Sequence, residues 1–213
     1  MARLAQAIWQ LAHNLHTHAP LDQVRCVGQD VRRTAARTGR SHQDRVCFAG
    51  LHQHQGASGW HGRPKKKGPQ AIGKSRGGWN TKIHMVAADA RTAVTFSLSP
   101  GQAHDAPEGR RLLASLGHAS RPVHLLMDRA YEGNETRQLA LDLGFIPVVP
   151  PTKTRLDPWE YDREMYKRRN EVERLFRRLK GYRRIFSRFE KLDAMFLGFL
   201  SFVLVADGLR GLC

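Results

Sequence analysis

A basic stretch near the C-terminus, YKRRNEVERLFRRLK at residues 166–180, contains two acidic residues, Glu171 and Glu173. A carboxylate in such a segment can pair with arginines one helical turn away, or it can hold a divalent metal while the cations bind phosphates. At about 100° per residue, four hydrogen-bond donors share a stripe with Glu173: Tyr166, Arg169, Arg177 and Lys180. Glu171 lies about 160° away and points toward solvent, so the two acids are not equivalent.

A second candidate carboxylate is Asp128, which follows the apolar run PVHLLM. An acidic residue at the C-terminal end of a buried strand projects from the sheet edge, where α/β proteins build their sites. The alternative is a turn or cap residue, which is equally common at the end of a strand.

The elements around these residues follow from hydrophobic periodicity. Alternating residues predict a hairpin with strands at 79–89 and 93–99, and apolar runs predict strands at 121–128 and 145–150. Helices are predicted at 106–116, at 133–144, over a long basic segment at 162–186, and over an apolar segment at 191–209. Residues 3–16 are predicted to form a short amphipathic helix. The order indicates an α/β fold, a mixed sheet flanked by helices.

The spacing Y-(2)-R-(3)-E-(6)-K, from Tyr166 to Lys180, resembles the signature around the catalytic Glu of DDE transposases from bacterial insertion sequences, in the insertion-sequence four/five-like group. Further blocks resemble the same family in the same order, over residues 52–210. They are QAIGKSRGGWNTKIHMVAAD, SLSPGQAHDAP, LLMDRAYEGNETR and VVPPTK.

This resemblance implies an RNase H-like domain at 49–213 that cuts DNA and joins it to a target by metal-dependent phosphoryl transfer. Asp128 and Glu173 would be the catalytic carboxylates and would hold two Mg²⁺ or Mn²⁺ ions. Arg169 and Lys180 would contact phosphates, and Tyr166 would orient Glu173 or the DNA backbone. The family also implies insertion-sequence ends and target DNA as partners, and a homodimer.

The third carboxylate of such a site is harder to place. Asp44 is the nearest acid before the His52-Gln-His54 stretch, but no apolar strand leads into it. A solvated loop residue is therefore the alternative to a third catalytic Asp. We expect residues 1–48 to be a truncated or frame-shifted segment, and the alternative function is a catalytically inactive, DNA-binding remnant that has lost the first strand and Asp. A generic metal-dependent nuclease is a further alternative.

Composition supports a nucleic-acid partner. Thirty-five Lys and Arg against 19 Asp and Glu give a net charge of +16, and a charge of this size favours a polyanion. Arg177 in the basic helix, and Lys65, Lys66 and Lys67 in a Gly- and Lys-rich segment at 55–78, are candidate DNA contacts; lysines in such a loop can also be merely solvated.

Cysteine usage and hydropathy bear on the compartment. The three cysteines have no paired spacing, which fits a reducing cytoplasm and, on DNA, the nucleoid. The longest apolar run, at 194–206, has 13 residues, whereas a bilayer needs about 20. We therefore expect no membrane partner.

Overall fold

The computed structural model describes residues 46–56 and 68–210; within 46–56 it describes the backbone and, among the side-chain positions, Gly50. The predicted helix at 3–16, Asp44, Lys65, Lys66 and Lys67 lie outside these residues. The strands are β1 (Val46–Gly56), β2 (Gly73–Ser75), β3 (Gly78–Ala87), β4 (Ala93–Pro100), β5 (Val123–Met127), β6 (Phe145–Val148) and β7 (Ser187–Arg188). The helices are α1 (Asp105–Leu116), α2 (Asn134–Asp142), α3 (Arg163–Lys167), α4 (Asn170–Lys180), α5 (Arg183–Phe186) and α6 (Asp193–Arg210), with a 3-10 turn at Arg129–Tyr131.

These strands form one mixed sheet in the order β2-β3-β1-β5-β6. β1 pairs antiparallel with β3 and parallel with β5, and β5 pairs parallel with β6. β2 pairs with the first residues of β3, whereas β4 pairs with the remainder of that strand. β7 adds a short parallel pairing at the end of β1. The predicted mixed α/β architecture is therefore confirmed, as are the hairpin and the strands before and after α2.

The central strand β1 corrects two predictions. The first strand was expected to be missing, but Val46–Gly56 lies in the middle of the sheet with partners on both sides. It also places Gln55 and Gly56 in a strand, and Gly73–Ser75 forms another, so the predicted 55–78 loop is too long at both ends. This strand could not be predicted from its sequence, VCFAGLHQHQG, because its Gly, Gln and His residues have little strand preference. Backbone pairing with two neighbours stabilises it instead.

Helices cover both faces of the sheet. On one face, α4 and α6 pack on alternate residues of the strands, including Ile83, Met85 and Leu126. On the other, α1 and α2 pack on the intervening residues, including Val86, Leu125 and Met127. The alternation follows from the two-residue period of a strand. Asp128 continues β5 by one residue and so lies on the face that carries α4.

The basic segment predicted as one helix over 162–186 is divided into α3, α4 and α5. Between α3 and α4, Arg168 and Arg169 keep helical dihedral angles, but their N–H groups donate to carbonyls three residues back, at Met165 and Tyr166. This tighter 3-10 turn changes the rotation per residue, so a wheel drawn at 100° does not extend across it. After α4, the extended backbone of Tyr182 ends the helix.

A buried guanidinium joins the sheet to the start of α6. Arg188 is fully buried, and its Nη2 donates to Asp193 Oδ1 at 2.6 Å. Its Nη1 donates to Thr81 Oγ1 on β3, and Nε donates to the Glu190 carbonyl. Asp193 in turn accepts from the Ala71 N–H. A charge this deeply buried is tolerated because each of these groups is hydrogen-bonded.

We expect Arg188→Ala to lower the free energy of unfolding by about 3–5 kcal/mol, because it leaves the Asp193 carboxylate without its charged partner. Arg184→Ala is the matched control: Arg184 is largely exposed and pairs with Glu190 at 3.4 Å, so its loss should cost less than about 1 kcal/mol. Urea denaturation of both variants measures the difference. Equal losses of unfolding free energy in the two variants would contradict the structural role assigned to Arg188.

A second buried network holds the turn after Asp128 against the sheet. His84 Nδ1 lies 2.9 Å from the Tyr131 hydroxyl, and His84 Nε2 lies 2.7 Å from Ser99 Oγ. The Tyr131 hydroxyl donates to the Gly50 carbonyl on β1 at 3.4 Å. If the Tyr131 hydroxyl proton is donated to the Gly50 carbonyl, the hydroxyl oxygen accepts from His84 Nδ1–H, and His84 Nε2 then accepts from the Ser99 hydroxyl. A neutral imidazole thus links β3, β4 and the 3-10 turn.

Burial lowers the pKa of His84 below its ordinary value of 6.5; Asp105 and Glu108 raise it, and Lys82 lowers it further. The unfolded chain therefore binds this proton at a higher pH than the folded protein, and stability is lost as the pH falls below about 6.5. We expect the free energy of unfolding to drop between pH 7 and pH 5, by at most about 1.4 kcal/mol per unit from this group. His84→Gln, which keeps an amide donor and acceptor, should show a smaller drop in parallel urea titrations.

Candidate active site

Asp128 stands at the end of β5, where the buried strand gives way to the 3-10 turn. Its Oδ1 accepts from the Arg129 N–H at 2.7 Å, so it caps the turn. Its Oδ2 faces Arg169 Nη1 at 3.7 Å, and the side chain is 35% exposed. The capping role and an outward-facing oxygen are therefore compatible: one oxygen fixes the carboxylate, and the other remains available for chemistry.

Glu173 is positioned by the packing of α4. Val172, Leu175, Phe176 and Leu179 are all buried, which confirms the predicted core-facing stripe of this helix. Glu173 lies at the border of that stripe, and its side chain is 47% exposed. Glu171 instead pairs with Arg174 at 3.0 Å, in an ordinary contact between residues three apart. The two acids therefore differ in their partners, but the prediction that Glu171 points toward solvent is wrong, because its side chain is 31% exposed against 47% for Glu173.

Arg169 links the two candidate carboxylates. Its Nη2 donates to Glu173 Oε1 at 2.6 Å, while its Nη1 lies 3.7 Å from Asp128 Oδ2. Asp128 comes from the sheet and Glu173 from a helix 45 positions later, so this contact is a product of the tertiary fold. One guanidinium offsets the repulsion between two carboxylates that share a small region.

The aromatic ring of Tyr166 completes this group. The guanidinium of Arg169 lies 5.6 Å from the centre of that ring. Burial lowers the pKa of Arg169, but the combined effect of Tyr166, Asp128 and Glu173 is larger, and the pKa is raised. For Tyr166, burial raises the pKa, and the charge of Arg169 lowers it, with a net shift upward. Arg169 therefore stays cationic, and Tyr166 stays a neutral hydroxyl at physiological pH.

The position on β1 beside Asp128 is Gly50. Ala49 pairs with Met127 in the parallel register, so Gly50 and Asp128 are the next residues of the two strands. A Cβ at Gly50 would lie 2.9 Å from the Val172 methyl groups and 3.1 Å from the Phe176 ring. There is no room for a carboxylate at this position while α4 packs as it does. β1 contains no Asp or Glu in its eleven residues.

Asp44 itself lies outside the described residues, and its role stays a prediction. The nearest described residue, Val46, pairs with His124. His124 precedes Asp128 by four residues, or about 13 Å along a strand. Val46 therefore lies at the end of β1 that is away from Asp128.

The candidate DNA contacts differ in their surroundings. Arg177 and Lys180 are exposed on α4. Tyr166 and Arg169 are partly buried, and both lie at the carboxylate group. Lys65, Lys66 and Lys67 fall outside the described residues and stay predictions.

The sequence pattern indicates no role for His84 or Tyr131, although both lie in segments that resemble the family. Their only visible signal is type: a His within a strand otherwise lined by core residues, and a Tyr three positions after Asp128.

The carboxylates suit a hard divalent cation. Asp128 and Glu173 offer anionic oxygens, which Mg²⁺ and Mn²⁺ prefer as ligands. The two carboxylates already stabilise one positive charge, that of the Arg169 guanidinium. Within residues 68–210, no group of three or more Asp, Glu, His or Cys side chains is assembled. The two carboxylates therefore fit a metal that completes its shell with water, DNA oxygens or a further ligand.

Comparison with known proteins identifies the family of this chain. Residues 45–206 match the family described as Transposase DDE domain. The chain is 31% identical over 121 residues to a Brucella ovis protein named "Putative transposase for insertion sequence element IS6501", covering 56% of this chain and 91% of that protein. It is 29% identical over 181 residues to the protein of the same description for element IS402 from Burkholderia cepacia, covering 81% and 82% of the two chains.

A structural resemblance is also found to the Mos1 transposase paired-end complex with left transposon end, at a TM-score of 0.34 and 14% identity over 84% of this chain and 59% of that one. The family match alone spans all seven described strands and all of α1 to α5. The chain belongs to the transposase DDE domain family and is a transposase of the kind found in bacterial insertion sequences.

Proposed function

We propose that Asp128 and Glu173 form the catalytic carboxylate pair of an RNase H-like domain that cuts insertion-sequence ends and joins them to target DNA. The observation that carries this proposal is the bridge made by Arg169, which touches both carboxylates. The arrangement of the sheet supports the RNase H-like assignment: β3 is antiparallel to β1 and β4, and β1, β5 and β6 are parallel.

We propose Mg²⁺ or Mn²⁺ as the cofactor, held by Asp128 Oδ2 and the Glu173 carboxylate. A metal bound there would supply activation of the attacking oxygen and stabilisation of the leaving oxygen in an in-line displacement. Asp128 is held for this role by the Arg129 N–H, and its turn is held by the buried Tyr131. Glu173 is held by the buried stripe of α4. Two carboxylates on rigid elements give the preorganisation that such a site requires.

Arg169 has a second role in this proposal. A scissile phosphate adds negative charge beside the carboxylates, and a guanidinium can bind it with two parallel hydrogen bonds. Tyr166 keeps Arg169 at the site through its ring. Arg177 and Lys180, both exposed on α4, extend the positive surface along the DNA backbone, and Lys65, Lys66 and Lys67 are proposed to add phosphate contacts.

The remaining parts of the proposal concern the assembly and the third ligand. Paired element ends are proposed to be held by a homodimer. Asp44 is kept as the candidate third carboxylate, and residues 1–48 as a truncated or frame-shifted segment. Reading the nucleotide frames upstream of the codon for Val46 tests the latter: if no other frame there continues the family's sequence, the frame-shift is contradicted. No helix in 68–210 is long and apolar enough to cross a membrane.

Replacing either carboxylate should abolish the reaction with little effect on DNA affinity. We expect Asp128→Asn and Glu173→Gln each to reduce Mg²⁺-dependent nicking and strand transfer on element-end DNA by roughly 100-fold or more, because each removes a charged ligand. Glu171→Gln, on the same helix, is the matched control and should keep parental rates. Asp44→Asn tests the third ligand: full activity in that variant removes Asp44 from the site, whereas full activity in Asp128→Asn contradicts the proposed pair.

The proposed phosphate contacts should appear in the salt dependence of DNA binding. Each lost contact should reduce the slope of log Kobs against log salt by about 0.9. We therefore expect the slope to fall by about 1 for Lys180→Ala, and by up to about 3 for the variant in which Lys65, Lys66 and Lys67 are all replaced by alanine. Arg111→Ala is the control, because Arg111 lies on α1, on the opposite face, and pairs with Glu108 at 2.9 Å. Fluorescence anisotropy at several salt concentrations measures the slopes. Unchanged slopes would remove these lysines from the interface.

A further inference from the structure

The last helix, α6, is apolar on two sides. Its inner face packs into the core through Phe196, Leu200, Val203 and Leu204. No charged residue occurs between Asp193 and Asp207. A helix that lies on the surface of a monomer normally carries polar residues on its outer face, whereas one that is apolar all round is covered on both sides.

The outer face contains four large apolar side chains. Met195, Phe202, Val205 and Leu209 are 58%, 52%, 62% and 55% exposed. Gly198 lies on the same face, since a Cβ added there would meet nothing within 4 Å. The positions 195, 198, 202 and 205 are separated by three, four and three residues, which is the spacing of a coiled-coil seam. We call these four residues the α6 seam.

The α6 seam is complementary to itself. In an antiparallel pair of helices related by a two-fold axis near residue 200, Phe202 of one copy lies opposite the partner's Gly198, and Met195 lies opposite the partner's Val205. The largest side chain then faces the position that has none. The residues beside the seam, including Ala194, Ser201 and Ala206, are small and uncharged, so two helices can approach closely without like charges meeting.

The charge of the chain favours a second copy of the same chain, rather than a nucleic acid, as the partner of the α6 seam. A net charge of +16 directs polyanions to the basic faces, and an uncharged apolar strip offers nothing to a phosphate. An identical strip is supplied by every further copy of the chain. A two-fold interface of this type uses the same surface on both subunits, which is the commonest symmetry of soluble oligomers.

We propose that the α6 seam binds the α6 seam of a second copy of this chain, antiparallel, with Phe202 packed against the partner's Gly198. This inference rests on the homodimer part of the proposed function and assigns its surface. It does not depend on the catalytic residues, because the association is measured without DNA or metal.

The test is sedimentation equilibrium of the full chain in about 0.3 M salt, which screens the repulsion between basic subunits. The parent should be a dimer at micromolar concentration. Gly198→Phe and Phe202→Gly should each weaken association at least tenfold, because the first opposes two rings and the second leaves a gap. The double variant G198F/F202G restores one ring against one glycine in every layer and should recover the parental dissociation constant within about threefold.

Leu141→Gly is the matched control for loss of an exposed apolar side chain, since Leu141 lies on α2 and is also about half exposed; it should leave the association unchanged. Circular dichroism confirms that each variant is folded. A dimer that survives both single variants would overturn the seam while leaving a homodimer through another surface. A monomeric parent would overturn both the seam and the homodimer.

Discussion

The close approach of α4 to the central strand at Gly50 is the constraint on which the site depends. The Val172 methyl groups and the Phe176 ring occupy the space that any side chain at this position would need. Because α4 lies so near to β1, Glu173 reaches the region next to Asp128, and one arginine can contact both. A bulkier residue at Gly50 would push the helix outward and would separate the carboxylates. The strand backbone at Gly50 has an ordinary conformation. Glycine is required here because a larger side chain has no room.

That packing also explains how a protein with so many positive charges keeps two carboxylates together. Two neighbouring anions repel each other, and burial strengthens the repulsion. Arg169 offsets it from within the same helical segment, and the half-buried Tyr166 ring holds the guanidinium in place. Two carboxylates and one guanidinium leave one negative charge in excess, which a divalent cation can offset.

The two faces of the sheet have different tasks. The face with α4 and α6 carries the carboxylates and the apolar seam, and it is joined to the sheet through the buried Arg188 and Asp193. The opposite face, with α1 and α2, supports the turn after Asp128 through His84 and Tyr131. Asp128 is thus fixed by groups on one side of the sheet while its free oxygen faces the other. The contacts that hold the turn after Asp128 and the outward-facing oxygen of this residue therefore lie on opposite sides of the sheet.

The sequence by itself determined the elements with strong periodicity and the chemical types of the site. The hairpin, the alternation of strands and helices after it, the buried stripe of α4, and the distinct surroundings of Glu171 and Glu173 all follow from local patterns, because side-chain periodicity reflects which face is buried. Strand β1 could not be found this way, since its pairing depends on backbone hydrogen bonds to residues far along the chain.

Only the tertiary structure decided the rest. It divided the basic segment into three helices, because hydrogen bonds to carbonyls three residues back replaced the regular pattern at Arg168 and Arg169. It placed a glycine, and no acid, beside Asp128 on the central strand. It brought Arg169 between two carboxylates that are 45 residues apart, which no local spacing specifies. Distances between residues far apart in sequence are set by how elements pack, and packing is a property of the whole chain.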